Sequence, residues 1–409
     1  MKLSKKILAG ALACTAMAGS VGVLAGCGQN SCSGSWAMKT ENAVINSGVY
    51  RYSLLSAYES AMYQVKDQTK PILSQKIDGK DAKKVIKDEA VESLIPFLVI
   101  EDKMKEYDLK LSDIARYNAK EGAASEWQNY GNMLKNFGIS QEDVQYCHFD
   151  YPAKFSEVFR HIYGEGGEKE VSESAMKKYA QENYTDLQYL LATTNKSDGT
   201  AMNDKEIAAL TKKLDGYATQ INGGKKTMEE VAVEYKNSLT DTKTEKTEGD
   251  SETDTSDVLM HAVTSVSTDN SRYKFPETLV KAVNKAKDNS ATTVDLSSSG
   301  YVVLFQKTNI KKTLNTFFDK ESEDYEDNVF QVLVDMKQEE YVKEMQKLAD
   351  NFDKKRIEYN DDEINVDLVQ LFEPESVNSE TASEDAEKTA SKTSSKASSE
   401  KETSSKANS

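Results

Sequence analysis

Thr292-Thr293-Val294-Asp295-Leu296, Ser297-Ser298-Ser299-Gly300 and Tyr301-Val302-Val303-Leu304-Phe305-Gln306-Lys307 decide the fold class. Two runs rich in β-branched and aromatic residues flank a small polar turn that ends in glycine, the pattern of a β-hairpin. Almost everywhere else the apolar residues recur at spacings of three and four, the period of an amphipathic helix. One hairpin in a largely helical chain predicts an α+β, mostly helical protein.

Upstream of the hairpin, Phe275-Pro276-Glu277 opens a helix that runs to Lys287. Residues 238–258 are almost wholly Thr, Ser, Asp, Glu and Lys, cannot bury a core, and read as a long solvated loop. Before them come a helix opened by Thr227-Met228-Glu229-Glu230, a helix over residues 207–217, a strand over 187–194, and a helix capped by Val171-Ser172-Glu173-Ser174 and running to Tyr184. Gly164-Glu165-Gly166-Gly167 marks a domain boundary.

The region ahead of that boundary reads as four helices. The first carries Tyr50, Leu54, Tyr58, Ala61 and Val65 on one face, after a weak strand at Ala43-Val44-Ile45. The second opens at Gly79-Lys80-Asp81 and is expected to kink at Pro96. The third starts at Ser112-Asp113 and stops at Gly138. The fourth starts at Ser140-Gln141-Glu142-Asp143 and is interrupted near Pro152. Downstream of the hairpin, a long helix is predicted over residues 318–353, then short extended pieces at Arg356-Ile357-Glu358-Tyr359 and Val366-Asp367-Leu368-Val369. Residues 374–409, dominated by Ser, Lys, Glu, Thr and Ala, read as a disordered tail.

The N-terminus carries an address. Met1-Lys2-Leu3-Ser4-Lys5-Lys6 is a positive head, residues 7–24 are apolar or small, and Leu24-Ala25-Gly26-Cys27 follows. This is the layout of a secretory signal. The last four residues resemble the bacterial lipobox, which implies cleavage between Gly26 and Cys27 and acylation of the Cys27 thiol, palmitate included. Two acyl chains make a stable anchor where one does not. The expected location is therefore the outer face of a bacterial cell membrane. Losing residues 1–26 removes three lysines and no acids, so the net charge moves from −16 to −19. A chain this acidic lacks the basic footprint that nucleic acid requires.

Little else in the sequence carries chemistry. Cys32 and Cys147 are available to pair in an oxidising compartment, but Cys32 lies in the tether, and the pairing stays open. His148, His161 and His261 have no metal-ligand spacing, and the acidic run at 248–254 lacks the EF-hand pattern. Gly-x-Ser-x-Gly, Walker and Cys-x-x-Cys motifs are missing. No catalytic residue, metal or cofactor is expected.

Strand, helix, helix, loop, helix and strand hairpin is the order of a parvulin-type prolyl isomerase domain. Val171-Ser172-Glu173-Ser174-Ala175-Met176-Lys177-Lys178-Tyr179 resembles the helix leading into such domains, Phe275-Pro276-Glu277 resembles the segment beside the isomerase pocket, and Gly300-Tyr301-Val302-Val303-Leu304-Phe305 resembles its closing strand. With helices on either side, the layout is similar to PrsA foldase lipoproteins and the related SurA chaperones. The resemblance implies a split helical chaperone-like region around a small, degenerate parvulin-like α/β domain. Its segments would be a signal peptide (1–26), a lipidated tether (27–46), an N-terminal helical domain (47–165), the parvulin-like domain (166–310), a returning C-terminal part packed on the N-terminal domain (311–373), and the tail (374–409).

The two histidines of active parvulins are replaced, by Tyr189 on the first strand and Val302 on the closing strand, and the family's Gly-Gly-Asp loop gives way to the acidic run. Tyr189, Phe275, Leu279, Tyr301 and Val302 form the candidate client or proline pocket. The resemblance implies a membrane-anchored extracytoplasmic chaperone for unfolded secreted proteins, with isomerase activity weak or lost. Tyr50, Tyr52, Tyr58, Tyr63, Tyr107, Tyr117, Trp127 and Tyr130 are numerous enough to line a client cradle, although most should be packing residues. An active prolyl isomerase and a non-catalytic surface scaffold remain as alternatives, and a homodimer as an alternative arrangement. A two-lobed solute receptor, which needs repeated strand–helix alternation, does not fit the pattern.

Overall fold

A computed structural model describes residues 35–196, 198–239, 255–267 and 275–373. The signal segment, Gly26, Cys27, Cys32, most of the acidic run and the C-terminal tail lie outside the described residues. Strands β1 (Trp36–Lys39) and β2 (Val44–Asn46) form an antiparallel pair that leads into helix α1 (Ser47–Met62). Helix α1 buries Val49, Tyr50, Leu54, Ala57 and Ala61, so most of the predicted face holds. Strands β3 (Lys76–Ile77) and β4 (Lys80–Asp81) make a tight turn through Asp78 and Gly79, both at positive φ. Asp81 then caps helix α2 (Ala82–Glu106) by accepting the Lys84 N–H. Helix α3 (Asp113–Lys135) is capped by Ser112, and Gly138, at φ +70°, turns the chain out of it.

Ser140 and Asp143 form a reciprocal capping box at the start of helix α4 (Gln141–Gln145). The sequence places a break near Pro152. The interruption is a π-turn over Tyr146–Asp150, in which the Tyr151 N–H bonds the Tyr146 carbonyl five residues back, and Pro152 sits inside the following helix α5 (Tyr151–Tyr163). A helical proline ring strikes the carbonyl four residues earlier. The wider π-turn ahead of Pro152 moves that carbonyl aside, so the helix is widened rather than broken.

Helix α6 (Glu173–Asn183), capped by Ser172, leads into β5 (Thr185–Thr193). Helices α7 (Asp204–Asn222) and α8 (Met228–Leu239) follow, then β6 (Leu259–Thr264), helix α9 (Glu277–Lys285), and the predicted hairpin of β7 (Ser290–Leu296) and β8 (Tyr301–Thr308) around Gly300 at φ +88°. These strands make one antiparallel sheet in the order β6-β5-β8-β7. Strand β6 is not expected from the sequence pattern of residues 259–264 and takes its place by pairing with β5.

The helix predicted over 318–353 is resolved differently. Helix α10 (Ile310–Phe317) comes first, and the long helix α11 spans Tyr325–Asp350. Between them the side chains of Asp319 and Ser322 take the backbone N–H groups of Glu321 and Asp324. Such local bonds offer the backbone an alternative to the helix. Strand β9 (Glu358–Tyr359) then pairs with β1, and helices α12 (Asp361–Ile364) and α13 (Leu368–Phe372) end the described chain. Residues 366–369, read as extended, instead enter α13, with Asp367 accepting the Val369 N–H.

The chain divides into two compact units, one built from residues up to Val158 and from Tyr341 onward, the other from Phe159–Glu340. Residues 311–340, read with the returning segment, thus belong to the second unit, where Tyr184 donates to Asp335 at 2.7 Å and Asn328 to the Phe317 carbonyl at 3.0 Å. In the first unit Tyr50, Leu54, Phe155 and Tyr341 are fully buried, and the Tyr341 hydroxyl donates to the Phe155 carbonyl at 2.9 Å. In the second, each sheet face has its own apolar cluster. The whole is a mostly helical α+β protein. Among the described residues, no helix is long and apolar enough to cross a membrane.

A Cβ on Gly48 would overlap the carboxylate of Asp143, which is buried and held in its capping box, so the acid cannot swing away. Gly48→Ala is expected to destabilise the first unit by about 1–3 kcal/mol, measured by urea denaturation; an unchanged midpoint would show that α1 and α4 are not packed as described.

Candidate functional site

Two groups of side chains stand out, one in each unit. In the second unit, alternation along β5 and β8 sorts the sequence candidates onto opposite faces of the sheet. Tyr189 packs with Leu187, Leu191, Val303 and Phe305 on the face covered by α9, where Phe275 and Leu279 also lie. Tyr301 falls on the same face by alternation, at its rim, and is 43% exposed. Val302 does not join them. It is fully buried on the other face with Leu190, Ala192 and Leu304, under α7 and α8.

The register explains the separation: Tyr189 pairs with Phe305, and Val302 with Ala192, so the two positions that would carry the parvulin histidines look away from each other. A one-residue slip in the comparison would bring Gln188 onto the face of Val302. Gln188 is already committed there, donating to Glu229 at 2.7 Å.

That end of the sheet carries a polar cluster which the sequence does not single out. Asp186 on β5 is 4% exposed, yet its carboxylate lies 2.7 Å from His261 Nε2 on β6 and accepts the Thr313 hydroxyl from α10. Burial alone would raise the Asp186 pKa, but the hydrogen bonds from His261 and Thr313 outweigh it and hold the carboxyl below its ordinary range. The bond to Asp186 lifts His261 above its ordinary value, and the charges of Asp186 and Glu229 add to that. Nothing in sequence spacing pairs residues 186 and 261, which meet only through the pairing of β5 with β6.

In the first unit, Tyr52, Leu55, Trp127 and Phe137 pack half-buried against the small core of Leu134, Ile139 and Val144. The π-turn brings His148 edge-on to Tyr52 at 4.9 Å, and His148 Nδ1 meets the Glu126 carboxylate at 2.8 Å. A few residues along α1, Tyr58 stacks on Phe372 of α13 at 4.6 Å, with Phe137 at 5.6 Å from the same ring. Burial, with Glu373 adding, pushes the Tyr58 hydroxyl up to about 12, so it remains a donor at working pH.

Burial also raises the Cys147 thiol, with Asp143 and Glu126 adding. A protonated thiol is neither nucleophile nor metal ligand. Of the other sequence candidates, Tyr50 is wholly core, Tyr107 is half-buried, and Tyr63, Tyr117 and Tyr130 are exposed. Among the described residues, no group of three His, Cys, Asp or Glu side chains is placed to hold a metal.

No protein-family model matches this chain, and no curated protein does. Among solved structures it is similar to foldase protein PrsA from Streptococcus pneumoniae strain Canada MDR_19A, at 13% identity and a TM-score of 0.35, over 69% of this chain and 92% of that chain.

The Asp186–His261 pair sets a pH signature. His261, with its pKa raised above 6.5, contributes stability in full below that value and loses it as pH rises through the raised one. Asp186, lowered below 3.8, contributes above 3.8 and loses it as pH falls through the lowered value. The second unit should therefore be steadiest between these limits and soften on the alkaline side. His261→Ala should cost about 1–2 kcal/mol at pH 6, since the imidazole is exposed and partly screened, and should flatten the alkaline limb of a urea-stability profile; a parallel profile would refute the pair.

Proposed function

We propose that the protein is a membrane-anchored extracytoplasmic chaperone that holds unfolded secreted chains, with no histidine-based prolyl isomerase centre. One observation carries the reading. The first unit keeps Tyr52, Tyr58, Trp127 and Phe137 half-buried, neither sealed in its core nor scattered singly. A run of aromatic faces of this kind grips apolar side chains of any sequence through area and ring stacking, worth about 0.5–1.5 kcal/mol per ring pair beyond burial. Ring stacking asks for no fixed partner sequence, which suits a holder of varied clients. The exported location, the lipid on Cys27 and cleavage after Gly26 complete the reading from the sequence pattern.

The order of the second unit, strand, two helices, strand, helix and hairpin, supports a parvulin-like fold. Its residues do not support the parvulin reaction. Isomerisation has a barrier of ~18–20 kcal/mol, and lowering it needs a pocket that grips the proline ring and accepts a twisted amide. Here the two key positions carry a tyrosine and a valine on opposite sheet faces, and Leu279 and Phe275 close over one of those faces. The scaffold alternative accounts for the anchor and tail but gives the aromatic row no task.

The test is a paired assay on the full-length protein in detergent. It should slow aggregation of a chemically unfolded client at near-stoichiometric ratio, with Trp127→Ala and Tyr52→Ala each weakening the effect several-fold. It should leave cis–trans exchange in a proline tetrapeptide at the background rate. Failure to protect the client removes the chaperone reading, and clear acceleration restores the isomerase one. Separately, Cys27→Ala should shift the protein from the membrane fraction to the soluble fraction; unchanged partition would remove the lipid anchor.

A further inference from the structure

The last described residues of the chain do not merely pack. Phe372 lies between Tyr58 and Phe137, and the Glu373 carboxylate accepts two hydrogen bonds, from the Tyr58 hydroxyl at 3.1 Å and from the Leu73 backbone N–H at 3.1 Å. Ring and carboxylate are thus read together, the ring by a stacked tyrosine and the carboxylate by two neutral donors. Leu73 belongs to a short 3₁₀ turn, Ile72–Ser74, that is itself well buried at Ile72 and Leu73. Tyr58 is fixed on α1 and Phe137 follows α3. The receiving side is built on helices and a buried turn.

The occupant is held far less firmly. Helix α13 has five residues, too few to persist by themselves. Leu368 is its one buried side chain, and Phe372 and Glu373 are half-buried. Helix α12 before it has four residues and none buried, and is tied down by Arg51 to Glu363 at 3.1 Å and by the Tyr50 hydroxyl to the Ile364 carbonyl at 3.3 Å. A preformed receptor thus faces a marginal segment.

We infer that Tyr58, Phe137 and the Leu73 N–H form a peptide-binding site for an aromatic residue followed by a carboxylate, and that Phe372–Glu373 is its resident occupant, displaced by a client segment of the same chemistry. The assignment rests on the holding function proposed above for the identity of the client. It adds which part of the aromatic row makes the first specific contact and what a client must outcompete.

The probe is a fluorescent heptapeptide, Asp-Leu-Val-Gln-Leu-Phe-Glu, copying residues 367–373, titrated into the full chain. Phe372→Ala with Glu373→Ala empties the site from the occupant's side and should tighten peptide binding about tenfold, as expected when a site goes from mostly filled to mostly open. Tyr58→Ala should abolish binding in both backgrounds, and so should replacing the peptide's Phe by Ala. Hydrogen exchange on the unaltered chain gives a second readout that needs no variant: excess peptide should speed exchange at residues 368–373 while α1 stays protected. Equal affinity for the emptied and the unaltered chain, binding indifferent to the aromatic ring, or unchanged exchange at 368–373 overturns the site. Aggregation suppression by the unaltered chain is scored separately. A protein that binds the peptide as described but protects no client keeps the site and loses the chaperone reading; one that protects clients without these binding changes loses the site alone.

Discussion

The first unit depends on a closure made late. Strand β1 is joined to β9 by only two residue pairs, Met38 with Tyr359 and Lys39 with Glu358, after the whole second unit has been traversed. Closing a long chain costs entropy that grows slowly with its length, and two strand pairs cannot offset it. Ion pairs add ties: Arg356 reaches Asp102 and Glu41, and Lys354 reaches Glu92. Exposed pairs of this kind are worth ~0–1 kcal/mol each. The larger contribution is apolar. Tyr341, Met345 and Ile357 are all buried where the chain returns, at about 1.5–3 kcal/mol per side chain. Burial wins, and the ion pairs fix where the segment lands.

The second unit obeys a different constraint. Its sheet is covered on both faces, by α7 and α8 on one side and α9 on the other. A doubly covered sheet leaves no place for an unpaired buried charge, and Asp186 on the central strand is the exception that must be answered. The answers come from an edge strand and from helix α10, so a single carboxylate ties three elements together. This also limits what the sheet can do as a site. Its odd β5 positions meet α9 and its even ones meet α7 and α8, so residues adjacent in sequence serve unrelated surroundings.

The legible parts of the fold were those with local causes. Asp81, Ser112, Ser140 and Ser172 start helices because their side chains take the backbone N–H three residues on, and Gly138 and Gly300 turn the chain at positive φ. These signals are complete within a few residues. The interruption of the fourth helix was legible from Pro152, but its form, a π-turn over Tyr146–Asp150, was not, because sequence spacing does not separate a widened turn from a broken helix. Strand β6 was not legible either, since Leu259-Met260-His261-Ala262-Val263-Thr264 alternates poorly and gains its register only from β5. Of the candidate site, the aromatic count in α1 and α3 was readable and its sorting into core, cradle and surface was not. That sorting depends on which helix face meets α4 and the returning chain. The pairing of Tyr189 with Val302 failed for a related reason: two strands recognised correctly still leave the register open, and the register decides the face.

Charge and connectivity together set how the aromatic row would select its clients. The chain carries −16, and would carry −19 without residues 1–26, so a free acidic segment approaches against repulsion, and the donors waiting at Tyr58 and Leu73 are neutral dipoles that do not steer it. Residues 367–373 avoid this cost by being part of the same chain, since a tethered occupant acts at an effective concentration in the millimolar range. A competitor with one ring and one carboxylate must therefore be in large excess to displace it, whereas one with a second aromatic contact, toward Tyr52 and Trp127, would displace it at lower concentration. Unfolded chains offer such contacts repeatedly, whereas folded proteins bury them. The resident segment would then work as a threshold. It would keep the row from binding single exposed side chains and would yield to polypeptides that present several at once.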